Sequence, residues 1–155
     1  MAVDLGLPNA VGRSCAGCTK CCEGWLPATI RGHDMYEGTP CRFVDIGKGC
    51  NEYDKRPEVP CKTFKCLWLI ENEVPEEFKP NLTNVVMMVE ETNGVRYILA
   101  KEAGDKMPAE IVVWLMGQAI NHKQNVCFQV NGRYHWYGDK FFISVMKNLY
   151  GGTNL

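Results

Sequence analysis

The sequence predicts an α+β protein, with a cysteine-rich, metal-stabilised region of loops and short helices packed on a small antiparallel sheet with one or two helices. Three observations predict it. Eight of the nine cysteines fall between residues 15 and 66. Glycine and proline interrupt that same stretch at short intervals, which favours turns over long elements. After Pro80 the pattern becomes regular, with two strand–turn–strand repeats on either side of an apolar, helix-spaced segment.

With 155 residues the chain suits one domain, 1–155, and can bury a genuine core. A composition of 46% hydrophobic and 23% charged residues is that of an ordinary globular protein. Net charge is −1, and no basic stripe is visible, which argues against a nucleic-acid partner. No apolar run approaches the roughly 20 residues of a bilayer span. The first residues lack the basic and apolar regions of a secretory leader, so the expected compartment is the cytoplasm. There, thiols stay reduced and free for metal, which disfavours a disulfide framework.

Residues 1–14 read as a loosely held N-terminal arm. The cysteine-rich region, 15–70, begins with Cys15-Ala-Gly-Cys18-Thr-Lys-Cys21-Cys22. A Cys-x2-Cys turn aims two sulfurs at one ion, and Gly17 gives that turn its conformational freedom. Cys21 extends the spacing to Cys-x2-Cys-x2-Cys, which also supplies three ligands to an iron–sulfur cluster. Adjacent Cys21 and Cys22 diverge in an extended backbone, so they serve two ions, or one of them is structural. A second group, Cys41, Cys50, Cys61 and Cys66, lies in or beside turns marked by Pro40, Gly47, Gly49, Pro57 and Pro60. Free cysteines are often simply buried apolar residues. Four within eight positions make that reading poor here.

Within the region, a helical turn is expected between Cys21 and Ile30, interrupted by Pro27, and another from Asp34 to Glu37. Lys62–Ile70 is expected as a short helix bearing Phe64, Leu67 and Trp68. His33 is the one histidine between the cysteine groups and reads as a solvated loop residue. His122 and His135 read as ordinary surface or packing residues. Glu23, Asp34, Asp45, Glu52 and Asp54 are candidates to pair with Arg31, Arg42 or Arg56.

Cys15-x2-Cys18-x2-Cys21-Cys22, then Cys41, Gly49-Cys50-Asn-Glu-Tyr53-Asp-Lys-Arg56-Pro57 and Cys61-Lys-Thr-Phe64-Lys-Cys66, resembles the CxxCxxCC (YkgJ-like) family of zinc- or iron-chelating domains. The resemblance covers residues 15–68. It implies that the eight clustered cysteines are the metal ligands and that Tyr53, Arg56 and Pro57 belong to the signature. Pro60 marks a possible departure, a longer spacer before Cys61. A similar motif occurs in flagellin lysine methylases, which implies iron–sulfur chemistry as an alternative. Arg56 is expected to organise a loop through fork-like hydrogen bonds.

The glutamate-rich stretch Glu71–Pro80 reads as a connection. In the lobe 81–155, Val85–Val89 and Val95–Ala100 form a hairpin about Thr92-Asn93-Gly94. Asp105 is expected to cap a helix that has Pro108 in its first turn, places 112, 115, 116 and 119 on one face and ends near Asn121. Val126–Val130 and Arg133–Tyr137 form a second hairpin about Asn131-Gly132. The order predicts an antiparallel sheet with a helix on one face. Asp139 caps a last helix through Tyr150, although Phe141–Val145 also suits a strand. Cys127 reads as a buried strand residue, Arg133–Tyr137 as sheet packing, and Gly151–Leu155 as a mobile tail.

Functionally, these observations predict a metal-binding protein that holds zinc, about two ions if each takes four thiolates, or an iron–sulfur cluster. In that reading the metals organise the loops and the surface serves a protein partner. The alternative is an iron–sulfur enzyme that modifies a protein side chain.

Overall fold

A computed structural model describes residues 3–151. The chain is α+β, as the sequence predicts. Its cysteine-rich half contains two small ribbons, β1 (Ala28–Ile30) with β2 (His33–Met35), and β3 (Val44–Asp45) with β4 (Gly49–Cys50). Short helices α1 (Leu67–Ile70) and α2 (Pro80–Thr83) lead into β5 (Val85–Thr92), β6 (Val95–Glu102), α3 (Ala109–His122), β7 (Val126–Val130), β8 (Arg133–Tyr137) and α4 (Lys140–Tyr150).

Both hairpins form where the turn residues place them. Asn93 and Gly94 have φ of 51° and 77°, and Asn131 and Gly132 have 52° and 79°. Two successive left-handed residues give the tight turn whose twist matches its strands. The sheet order is β5-β6-β7-β8, but it is mixed, not antiparallel. Its middle pair is parallel, with Ile98 opposite Val126 and Ala100 opposite Phe128. The reason is α3, a crossover long enough to return the chain to the end of the sheet where β6 began.

The helices also cover both faces, not one. Val85, Met87, Ile98, Ala100, Val126 and Phe128 face Ile111 and Leu115 of α3, together with Leu67, Trp68 and Leu69 of α1. Val86, Met88, Tyr97, Leu99, Cys127 and Trp136 face Phe142, Val145 and Met146 of α4. Burial on both sides explains why Val85–Met88 runs apolar without alternation.

The N-terminus of α3 differs from expectation, while its end at His122 matches it. Pro108, extended at φ −64° and ψ 141°, stands at its N-cap, while Asp105 accepts a hydrogen bond from the Lys106 N–H (2.7 Å). At the other end Lys123 turns left-handed at φ 55°. Asp139 does cap α4, accepting from the Phe142 N–H at 2.8 Å.

The N-terminal arm is anchored, contrary to the loosely held segment expected. Val3 donates to Val89 O (2.9 Å) and Ala10 to Leu69 O (2.8 Å). The buried Arg13 guanidinium donates to Trp68 O, Glu71 O and Val74 O at 2.6–2.7 Å. The Glu71–Pro80 connection likewise contributes to the core through Val74 and Phe78. Of the expected mobile tail, only Gly151 lies within the described residues. Among these residues no helix is long and apolar enough to cross a membrane.

Candidate functional site

Backbone geometry gathers the cysteines. Gly17, at φ 74°, lets the Cys18 N–H donate to Cys15 O (2.8 Å), closing the first turn. The expected helical turn is a 3-10 turn, Lys20–Glu23, carrying Cys21 and Cys22. It stops at Gly24, where φ is 100° and a Cβ would collide with Tyr36 O, so only glycine fits. The Cys41 N–H donates to Cys22 O at 2.8 Å, drawing the second group beside the first. Cys50 lies in the β3–β4 ribbon opposite Val44. Cys61 sits in the turn Glu58–Lys62, directly after its cis Val59–Pro60 bond. Cys66 is the extended N-cap of α1, so the helix expected from Lys62 begins only at Leu67. In place of the turn expected from Asp34, the chain completes β2 and then bends back, Tyr36 and Thr39 exchanging backbone hydrogen bonds.

The thiols perturb one another's ionisation in a telling pattern. Burial raises the Cys15 pKa, and the charges of Cys18 and Cys22 raise it further. The Cys21 thiol is held well above its ordinary value by its hydrogen bond to Cys22, by burial, and by Cys22, Cys15 and Cys66. That same hydrogen bond lowers Cys22 to about 7. Burial raises Cys61, followed by Cys22, Cys41 and Cys50. Cys66 is pushed by burial to about 12, with smaller contributions from Cys15 and Cys18.

Cys15, Cys18, Cys21 and Cys66 thus act on one another, and Cys22, Cys41 and Cys50 act on Cys61, while Cys22 also acts on Cys15 and Cys21. The adjacent Cys21 and Cys22 join the two sets. Among the described residues no three His, Cys, Asp or Glu side chains stand in an arrangement that could hold a metal ion. The thiols are gathered without being closed on a common point.

Arg56 acts on both sets, lowering the pKa of Cys15, Cys22 and Cys61. Its guanidinium stacks on Tyr53, 3.7 Å from the ring centroid. The expected fork of hydrogen bonds is not made, for Nε and Nη1 are buried without a partner. Arg56 as a whole is half-buried, and buried guanidinium nitrogens in that condition call for nearby negative charge.

The expected arginine–carboxylate pairs give way to other contacts. Arg31 donates to Lys55 O and lies over Phe43. Arg42 approaches the exposed His33 ring (3.2 Å). Glu23 pairs with Lys20, and Asp45 with Lys48. His122 is exposed at the end of α3, and His135 is buried in β8 against Phe128.

Sequence reasoning missed two supports. The buried Thr19 hydroxyl accepts from the Gly47 N–H (2.9 Å) and donates to Glu23 Oε2 (2.8 Å), fastening the β3–β4 loop to the first cysteine turn. A threonine between two cysteines was the available signal. Lys79 donates to Ala16 O (2.8 Å) and stands over Trp68, with its charge lowering the Cys15 pKa. Its distance along the chain left no signal at all. No family model matches the chain, and no match to a curated protein or a solved structure reaches significance.

Proposed function

We propose that the cysteine-rich region is a two-site metal centre, with Cys15, Cys18, Cys21 and Cys66 holding one ion and Cys22, Cys41, Cys50 and Cys61 the other. The observation that carries this reading is that Cys66 lies under the influence of Cys15 and Cys18, whereas Cys61, five positions earlier, lies under that of Cys22, Cys41 and Cys50. The adjacent Cys21 and Cys22 thiols, hydrogen-bonded to each other in this structure, would part on metal loading, one to each ion.

The donor chemistry fits. Thiolates are the natural ligands of zinc, and four leave no open position, which makes each site structural. The unpartnered Arg56 nitrogens support the same reading, because a four-thiolate zinc centre carries net negative charge. The resemblance of residues 15–68 to the CxxCxxCC family adds further support. In this role the centre shapes a loop surface for a protein partner.

Anaerobic purification followed by metal analysis and an absorption spectrum tests the proposal. The expected result is about two zinc ions per colourless chain. Cys61→Ser and Cys66→Ser, five positions apart in sequence, should each lose one ion, and the double variant both. If the double variant loses only one, the grouping is wrong. Iron with labile sulfide and a brown colour would instead establish the iron–sulfur reading and its enzymatic alternative.

A further inference from the structure

Helix α3 is apolar on the side that faces away from the sheet. Between Ala109 and His122 its one acidic residue is Glu110, and it contains no Lys or Arg. Ile111 and Leu115 are buried against the sheet. At 100° per residue, Ala109, Val113, Gly117 and Ile120 fall on the opposite side, while Met116 at its edge is half-buried against the core. Val113 is 72% exposed and Ile120 is 62% exposed. A solvent-facing helix surface ordinarily carries the charged residues, so this arrangement is inverted.

We propose that this face docks a second copy of the same chain, with the two α3 helices antiparallel about a two-fold axis between Met116 and Gly117. Charge placement selects that occupant. In this register Val113 meets Ile120 of the second copy, and Glu110 meets its Lys123, twice over by symmetry. Glu110 and Lys123 are both exposed, and neither enters an ion pair among the described residues. Antiparallel pairing also brings each helix N-terminus beside the other's C-terminus, where the dipoles attract.

Gly117 sits at the closest approach. A Cβ built there meets only the Asn121 side chain, at 3.9 Å. The monomer therefore leaves room for a side chain at this position, and its absence keeps the crossing point open for a neighbouring helix. The 14-residue helix is about 21 Å long. A contact of that length alone falls short of the roughly 800 Å² per partner of a stable interface. The association is accordingly weak and varies with concentration.

Sedimentation equilibrium on the full, metal-loaded chain across micromolar to millimolar concentrations tests this. The expected result is a reversible monomer–dimer equilibrium. Ile120→Lys and Gly117→Gln should each weaken it by about tenfold or more, with far-ultraviolet circular dichroism and metal content unchanged. Glu110→Lys alone should weaken it several-fold, and adding Lys123→Glu should restore it. A chain monomeric at every concentration would overturn the proposal. So would a dimer indifferent to Ile120→Lys, or a double charge reversal that fails to restore association.

Discussion

Residues 85–150 bury apolar side chains on both faces of a four-stranded sheet, whereas between residues 14 and 66 the buried residues are Thr19, Gly24, Ile30 and Met35. The first region is ordered by the exclusion of water from continuous apolar layers. The second has no comparable layer. Its order rests on turns, on backbone bonds such as Cys41 N–H to Cys22 O, and on the Thr19 hydroxyl. Burial and crosslinking are alternative ways to offset chain entropy, and under the proposed two-site centre each half would use mainly one of them. The halves meet where Lys101 donates to Trp25 O (2.8 Å) and Lys20 to Ala103 O (3.3 Å).

Stripping the proposed metal tests this contrast most severely. A strong chelator should abolish amide protection across residues 15–66 while β5–β8 keep theirs, as read by hydrogen exchange. The stability lost locally should approach the ~10 kcal/mol scale of structural zinc in small modules. Equal loss in both halves would show that the distinction is false.

A smaller effect is expected at the anchored arm. Arg13→Met would leave three backbone carbonyls without their charged donor. A loss of about 2–4 kcal/mol is expected in denaturant unfolding, because hydrogen bonds to charged groups are among the stronger ones. An effect below about 0.5 kcal/mol, the usual range for surface substitutions, would return the arm to the loose segment its sequence resembles.

The smallest effect concerns Cys127, fully buried in β7, whose thiol burial pushes up to about 12. Because the folded value is raised, its stabilising contribution is complete below the unfolded value near 9. It is lost as pH rises from there towards 12. By pH 10 the expected loss is about 1.4 kcal/mol relative to pH 8. Cys127→Ala should be less stable at neutral pH but lack this component of the alkaline decline. An unchanged alkaline slope would remove Cys127 as its source.

The lobe was the more legible half because its signals are local. Asn93-Gly94 and Asn131-Gly132 specify their turns from two residues each, and Asp139 caps the helix it directly precedes. The parallel pairing of β6 with β7 escaped prediction because register across a crossover is set by packing, not by neighbours in sequence. In the cysteine region the clustering of the thiols was legible from their spacing. Their grouping was not, since Cys66 lies near the first turn while Cys61 lies with Cys22 and Cys41. Arg56 was recognised as important, but its role was misread. Its Nε and Nη1 have no acceptor, and only the fold shows that its charge acts on Cys15, Cys22 and Cys61 together.

Cys66 packs against both apolar clusters and directly precedes α1, whose Leu67, Trp68 and Leu69 are buried. An ion held by its sulfur would share a lever with the sheet's packing. Reciprocity then requires that whatever tightens that packing also tightens the grip on the ion, and by the same factor. Substitutions at Val74 or Phe78, on the core side of that lever, should therefore register as altered metal affinity.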